Sequence, residues 1–265
     1  MSHKLLIAML VLMLSTMFIA QVSSEPVAKL DLKEMVKKAD LLLRGEQSAI
    51  EHMYFIVRRP GSTIERKTIL YLKGKPFSFF QCLEPVRDLN ITLLKRDGDV
   101  WMYTPSVRKS IRIPLANMHE GVLGSDFTYD DIINMSTLSD DYEPVLVGDS
   151  KAMEKEHGKV YVLDLTPLPG RPIAYKKLRL WIREKDNILL RQQYYDEKLQ
   201  VTRALVYSDI KEMGGRNIPT KRTMVDLSKE GYSTELIFIN AAFNTLTDDE
   251  IFSPRSLTEP PKPKF

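Results

Sequence analysis

Three carboxylates fall within six residues in the stretch GVLGSDFTYDDI, residues 121–132. Asp126, Asp130 and Asp131 could offer oxygen ligands to a divalent cation, or serve a hydrolytic centre. The local pattern supports a simpler use. Ser125 or Asp126 is a good helix N-cap, and Asp130 and Asp131 then sit at the positive end of the helix dipole. Capping alone accounts for the acids, with Phe127 and Ile132 turned toward an apolar space and the carboxylates toward water. Gly121 and Gly124 add backbone freedom. The segment reads as a lid, with Gly121, Gly124, Ser125 and Asp126 as its hinge residues.

Other reactive groups are sparse. The histidines are His3, His52, His119 and His157, and none has the short spacing to another histidine or to a cysteine that a zinc site uses. No G-x-S-x-G elbow, phosphate loop or dinucleotide fingerprint occurs. Asp97-Gly98-Asp99 lacks the further ligands of a calcium loop and reads as a hairpin turn. Cys82, the one cysteine, lies in the apolar run FFQCL and reads as a small core residue. No catalytic residue, metal ligand or cofactor is assigned.

The elements that must position the lid come from periodicity. Lys4 precedes an apolar run from Leu5 to Ala20, and Val22 and Ser24 follow at signal-peptidase spacing. Residues 1–24 are therefore expected to be a cleaved secretory signal peptide, since the run falls short of the ~20 residues of a membrane anchor. Its removal takes one lysine and no acid, leaving 37 basic against 35 acidic residues in 241. That balance gives no footprint for nucleic acid. Residues 27–44 carry apolar positions at helical spacing, with Leu32, Met35, Val36, Ala39 and Leu43 on one side and Gly45 at the stop.

From Ser48 the period becomes two. Strands are expected at 48–59, 62–73, 76–83, 90–96, 99–104 and 109–113. After a gap they resume at 142–149, 159–166, 175–183, 188–196, 201–210, 218–227 and 232–243. Pro60-Gly61, Asp97-Gly98, Asp186-Asn187 and Gly214-Gly215 mark turns between them. In YKKLRLWIR, Leu178, Leu180 and Ile182 face one way, and Lys177, Arg179, Trp181 and Arg183 face a solvated side. Only residues 114–141 interrupt the meander, and they hold the lid. Residues 25–253 are expected to be one domain, and the proline- and lysine-rich tail 254–265 to be disordered.

Apolar side chains gather near the junction of sheet and lid. Phe77, Phe79, Phe80, Trp101, Tyr103, Met118, Leu123 and Phe127, with Met102 and Met135, could line an adaptable hydrophobic site. The ligand-cavity set is Phe77, Phe79, Trp101, Tyr103, Met118, Leu123, Phe127 and Ile132.

Several stretches in order, ADLLLRG (39–45), WMYTPSVRKSIRI (101–113), GSDFTYDDI (124–132), RPIAYKKLRLWI (171–182), GGRNIPTKRTMVD (214–226) and FNTLTDDEIFS (243–253), resemble the LolA-like family of outer-membrane lipoprotein-sorting proteins. The resemblance runs through nearly the whole chain after residue 24. It implies a mainly β, α+β fold: an incomplete, curved antiparallel half-barrel with helices packed in its concave face. It also implies a periplasmic carrier that binds acyl chains of a lipoprotein or lipid. An inner-membrane transporter would be the donor and an outer-membrane site the acceptor. The alternative is a periplasmic sensor or regulatory module that recognises lipidated ligands or a membrane protein. A hydrolase built on Asp126, Asp130 and Asp131 is the third reading.

Overall fold

The structure is a computed structural model that describes residues 30–133, 138–170 and 175–263. The proposed signal peptide, residues 1–24, and Met135 lie outside the described residues, and no helix among these is long and apolar enough to cross a membrane. From Leu32 onward they form one compact unit.

The opening helix, α1, spans Leu32–Arg44. Met35, Val36, Ala39 and Leu43 form its buried stripe, as their spacing predicts. Gly45 ends it in a left-handed conformation at φ +73°, donating its N–H to the Leu41 carbonyl at 2.9 Å.

Thirteen strands follow: β1 (Ser48–Arg59), β2 (Ser62–Lys73), β3 (Phe77–Glu84), β4 (Thr92–Arg96), β5 (Asp99–Thr104), β6 (Lys109–Arg112), β7 (Tyr142–Asp149), β8 (Val160–Pro167), β9 (Lys177–Arg183), β10 (Leu189–Tyr195), β11 (Val201–Met213), β12 (Arg216–Asp226) and β13 (Ser233–Phe243). Each overlaps a strand expected from sequence. All belong to one antiparallel sheet in the order β6-β5-β4-β3-β2-β1-β13-β12-β11-β10-β9-β8-β7. So many twisted strands cannot stay flat, and the sheet forms the curved half-barrel that the sequence resemblance implied. Asp97 and Gly98 both take positive φ, +53° and +91°, as the tight hairpin from β4 to β5 requires.

Order along the sheet has one consequence for the site. β1 and β13 pair in the middle, whereas β6 and β7, neighbours in the chain, are opposite edges. The connection between them holds α2 (Tyr129–Ile132) and α3 (Leu138–Asp141). A last short helix, α4 (Lys151–His157), links β7 to β8.

Strand alternation sends side chains to separate cores on the two faces of the sheet. On the concave side Leu70, Leu72, Phe80, Leu93, Leu163, Leu178, Leu180 and Ile182 meet α1 and the lid residues Met118, Val122, Phe127 and Ile132. Cys82 belongs to this core, and burial pushes its thiol up to about 12. The opposite face of YKKLRLWIR is less solvated than expected. Arg179 pairs with Asp164 at 2.6 Å, Arg183 with Asp186 at 2.8 Å, and Trp181 packs beside Val160 and Ile188.

The second core corrects two expectations. Ile69, Tyr71, Phe79 and Leu94 point away from the concave side and are covered by Ile251, Phe252 and Leu257. Residues 254–257, expected to begin a disordered tail, are therefore docked on the sheet. Pro254–Leu257 form a 3-10 turn, and Thr92 Oγ1 donates to the Leu257 carbonyl at 2.8 Å. The proline content suggested disorder, but Phe252 and Leu257 bury enough apolar area to dock the segment. Phe77, Phe79, Trp101 and Tyr103 belong with this outer core rather than with the cavity. Composition near the lid suggested the cavity, whereas strand parity decides the face.

Phe252 is 2% exposed, and Phe252→Ala is expected to cost about 3–5 kcal/mol in urea denaturation. A loss under 1 kcal/mol would mean the segment adds little to the outer core.

Candidate functional site

The lid is a compact loop closed on itself. Val122 N–H donates to the Phe127 carbonyl at 2.9 Å, Tyr129 N–H to Glu120 at 3.1 Å, and Asp130 N–H to Met118 at 3.0 Å. Leu123 and Gly124 are consecutive left-handed residues at φ +52° and +74°. Leu123 tolerates that strained backbone while its side chain packs against the concave core. At Gly121 a Cβ would sit 2.3 Å from the Ser125 carbonyl oxygen, so the turn needs glycine there. The Ser125 hydroxyl donates to the Phe127 carbonyl at 2.9 Å, bracing the turn from inside.

The cap of α2 is Thr128, not Ser125 or Asp126. Its hydroxyl accepts from Asp131 N–H at 3.1 Å, and Asp131 Oδ2 accepts from Thr128 N–H at 2.8 Å, a capping box. Asp130 and Asp131 do occupy the first helical turn, where the dipole favours them.

Nor do all the acids face water. Asp126 is almost fully buried and accepts from Arg59 Nη1 at 2.9 Å and from Thr234 Oγ1 at 2.7 Å. Asp131 accepts from Arg203 Nη1 at 2.9 Å. Arg203 also donates to the Asp126 carbonyl at 2.7 Å and to the Tyr175 hydroxyl. Its guanidinium stacks on Tyr194, 4.7 Å from the ring centre. Arg59 Nη2 holds the Gly124 carbonyl at 2.5 Å. Two arginines thus fasten the lid to one end of the central strands β1, β13 and β11. The carboxylates of Asp126 and Asp131 are spent on these bonds and on the cap, and among the described residues no group of three His, Cys, Asp or Glu could hold a metal ion.

Beneath the lid lies a cavity of about 120 Å³. Of the candidate ligand residues, Phe127 and Ile132 line it. Phe127 packs against Phe55 with ring centres 6.4 Å apart. Met118 sits in the concave core and borders a separate cleft at the β5–β6 edge with Val100 and Leu115. Phe80, Leu70, Leu178 and Leu236 are among the other residues of the apolar wall.

Part of the lining is charged, which sequence reading missed. Asp40 and Arg44 of α1, Glu51 of β1 and Arg222 of β12 all face the cavity. Glu51 and Arg222 form a buried pair at 3.3 Å. Asp40 accepts from Leu138 N–H at 2.6 Å, tying α1 to α3. Burial raises Asp40 to about 7 against the opposing pull of Arg44, and raises Glu51 as well. A signal was available: Glu51, Arg59, Arg203 and Arg222 each lie two residues along a strand from an apolar, inward-facing one, Met53, Val57, Leu205 and Met224 respectively. A charge at such a position has to find a partner inside.

The lidded half-barrel defines the class of fold: LolA-like. Crystal structures with the same fold include a DUF1329 family protein from Desulfovibrio piger, with 22% identity and a TM-score of 0.74, covering 85% of this chain and 97% of that one. A LolA superfamily protein from Nitrosomonas europaea shares 22% identity at TM-score 0.71, over 84% and 97%. An outer membrane lipoprotein-sorting protein domain from Vibrio parahaemolyticus shares 21% at 0.72, over 85% and 97%. A family model described as "-like: Uncharacterized protein" matches residues 74–259, and the chain belongs to that family. No curated protein matches the chain in sequence. The resemblance to LolA-like proteins read from the sequence is borne out.

Two predictions follow from the buried charges. Asp126→Asn removes the ion pair with Arg59 while preserving shape, and is expected to weaken lid closure by about 1–3 kcal/mol. Hydrogen exchange at residues 122–132 should quicken roughly tenfold or more, with the amides of β1 and β13 unchanged; uniform quickening would mean global destabilisation instead. Asp40 binds its proton more tightly folded than unfolded. Its contribution to stability is therefore complete below the ordinary value of 3.8, and is lost as pH rises toward about 7. Denaturation across that window should show stability changing less favourably with rising pH in the unaltered protein than in Asp40→Asn.

Proposed function

We propose that this protein is a periplasmic carrier that encloses the acyl chains of a lipoprotein or lipid beneath the lid and passes them toward the outer membrane. The observation that supports this most is the contrast between the two closures of the sheet. The outer core is sealed by apolar docking of Ile251, Phe252 and Leu257. Over the concave side, the lid's attachment to the strand ends is polar, through Arg59 and Arg203, and polar attachments can be exchanged for water.

Magnitudes favour a lid that opens for a chain. Ligand sites usually measure ~300–1,000 Å³, well above the 120 Å³ enclosed here. An acyl chain therefore enters as Phe127 and Ile132 withdraw. Releasing two charge-assisted latches costs about 3–6 kcal/mol. Burying roughly eight methylenes returns about 6 kcal/mol, so a long chain holds the lid open and a short one does not. Transfer then needs only an acceptor with higher affinity. Export to the periplasm, an inner-membrane transporter as donor and an outer-membrane acceptor complete this reading.

Native mass spectrometry of protein purified without detergent should show a bound acyl ligand, and a fluorescent fatty-acid probe should bind in competition with it. Gly124→Pro, which forbids the +74° φ of the lid turn, is expected to reduce probe uptake at least fivefold while the denaturation midpoint moves little. Protein that carries no lipid and takes up no probe would rule the carrier out.

A further inference from the structure

Arg44 of α1 and Arg222 of β12 both line the cavity. Both act on the same carboxylate, Glu51. Their bonding is incomplete. Arg44 Nε and Nη1 and Arg222 Nε are buried with no hydrogen-bond acceptor among the described residues. Arg222 is itself 6% exposed. Buried guanidinium N–H groups without acceptors are costly, and both arginines line the cavity beneath the lid.

The charge around them says what kind of acceptor fits. Asp40, Glu51, Asp130 and Asp131 share the lining, Glu51 is paired with Arg222 and Asp131 with Arg203. The site therefore has no surplus of positive charge to neutralise an incoming anion. It has a surplus of donors. A neutral oxygen with free lone pairs satisfies those donors without adding to four acids.

We propose that the Arg44–Arg222 corner of the cavity recognises the ester or amide carbonyl oxygens at the head of an acyl ligand, with Arg44 Nε and Nη1 and Arg222 Nε donating to them. This rests on the carrier reading and narrows it: the apolar wall takes the chain, and the arginines select the linkage by which that chain is attached. Chains alone would bind by length. Chains with carbonyls would be held by length and by chemistry.

The test compares monopalmitoyl glycerol with its hexadecyl ether, which keeps the chain and the glycerol but lacks the carbonyl, using calorimetry on the full chain. The ester is expected to bind about tenfold more tightly than the ether. Arg44→Met should bring the ester down to the ether's affinity. Equal binding of ester and ether by the unaltered protein would show that water serves these donors, and would overturn the assignment while leaving the carrier intact. Palmitate binding more tightly than the ester, with that preference lost in Arg44→Met, would make the corner an anion site and also overturn it. Failure of all three to bind would remove the carrier reading itself.

Discussion

One constraint of connectivity organises this molecule: strands consecutive in sequence, β6 and β7, are the two far edges of a thirteen-stranded sheet. Every other pair of successive strands is hydrogen-bonded to its neighbour. The chain between β6 and β7 has to travel from one edge to the other, and it does so past the concave side, where Met118, Val122, Phe127 and Ile132 can be buried. The lid is thus a topological necessity put to use. Its apolar residues follow from the face it crosses.

The concave side has two separately anchored covers. α1 is held near the strand ends that carry Glu46 and Asn244, where Arg216 Nη1 donates to the Leu41 carbonyl at 3.0 Å. The lid is held at the other ends, by Arg59 and Arg203. The two covers meet through the Asp40 contact to Leu138 N–H. Each cover can therefore loosen at its own end while the sheet between them stays paired. Strand pairing resists local opening more than isolated polar contacts at a margin do.

Much of this was legible in the sequence, for physical reasons. Alternation in a run such as YKKLRLWIR is imposed by the deeper burial of one sheet face, so strand limits and the lid's place could be read from period and turn residues. Faces were harder. Phe79 and Phe80 are adjacent and equally apolar, yet one packs under Phe252 and the other lines the cavity, because both sides of this sheet are covered. The tail deceived for a related reason: its prolines signal disorder, but the docking residues Phe252 and Leu257 are few and widely spaced. Asp126 and Asp131 looked like surface caps because their partners, Arg59 and Arg203, lie about seventy residues away in sequence. Local windows cannot show such pairs, although an arginine at an inward strand position announces that one must exist.

The buried charges also bear on reversibility. A buried ion pair contributes little net stability, since the desolvation of its members offsets most of their attraction. Replacing Asp126, Arg59, Asp131 and Arg203 with well-packed hydrophobic residues would hold the lid at least as firmly. It would also remove the difference between the lid's seal and the core's. A lid sealed by leucines would open only with the core around it, because apolar contacts have no alternative partner in water. The arginines and carboxylates have one. Each group regains hydration on opening, so the polar part of the seal is set by a few directional bonds, and the rest of the lid's hold by the burial of Met118, Val122, Phe127 and Ile132. On the carrier reading this is the property that matters: the lid must be specific when closed and cheap to release. Fixed geometry with a small net free energy supplies both, at the cost of a cavity whose floor is polar as well as greasy.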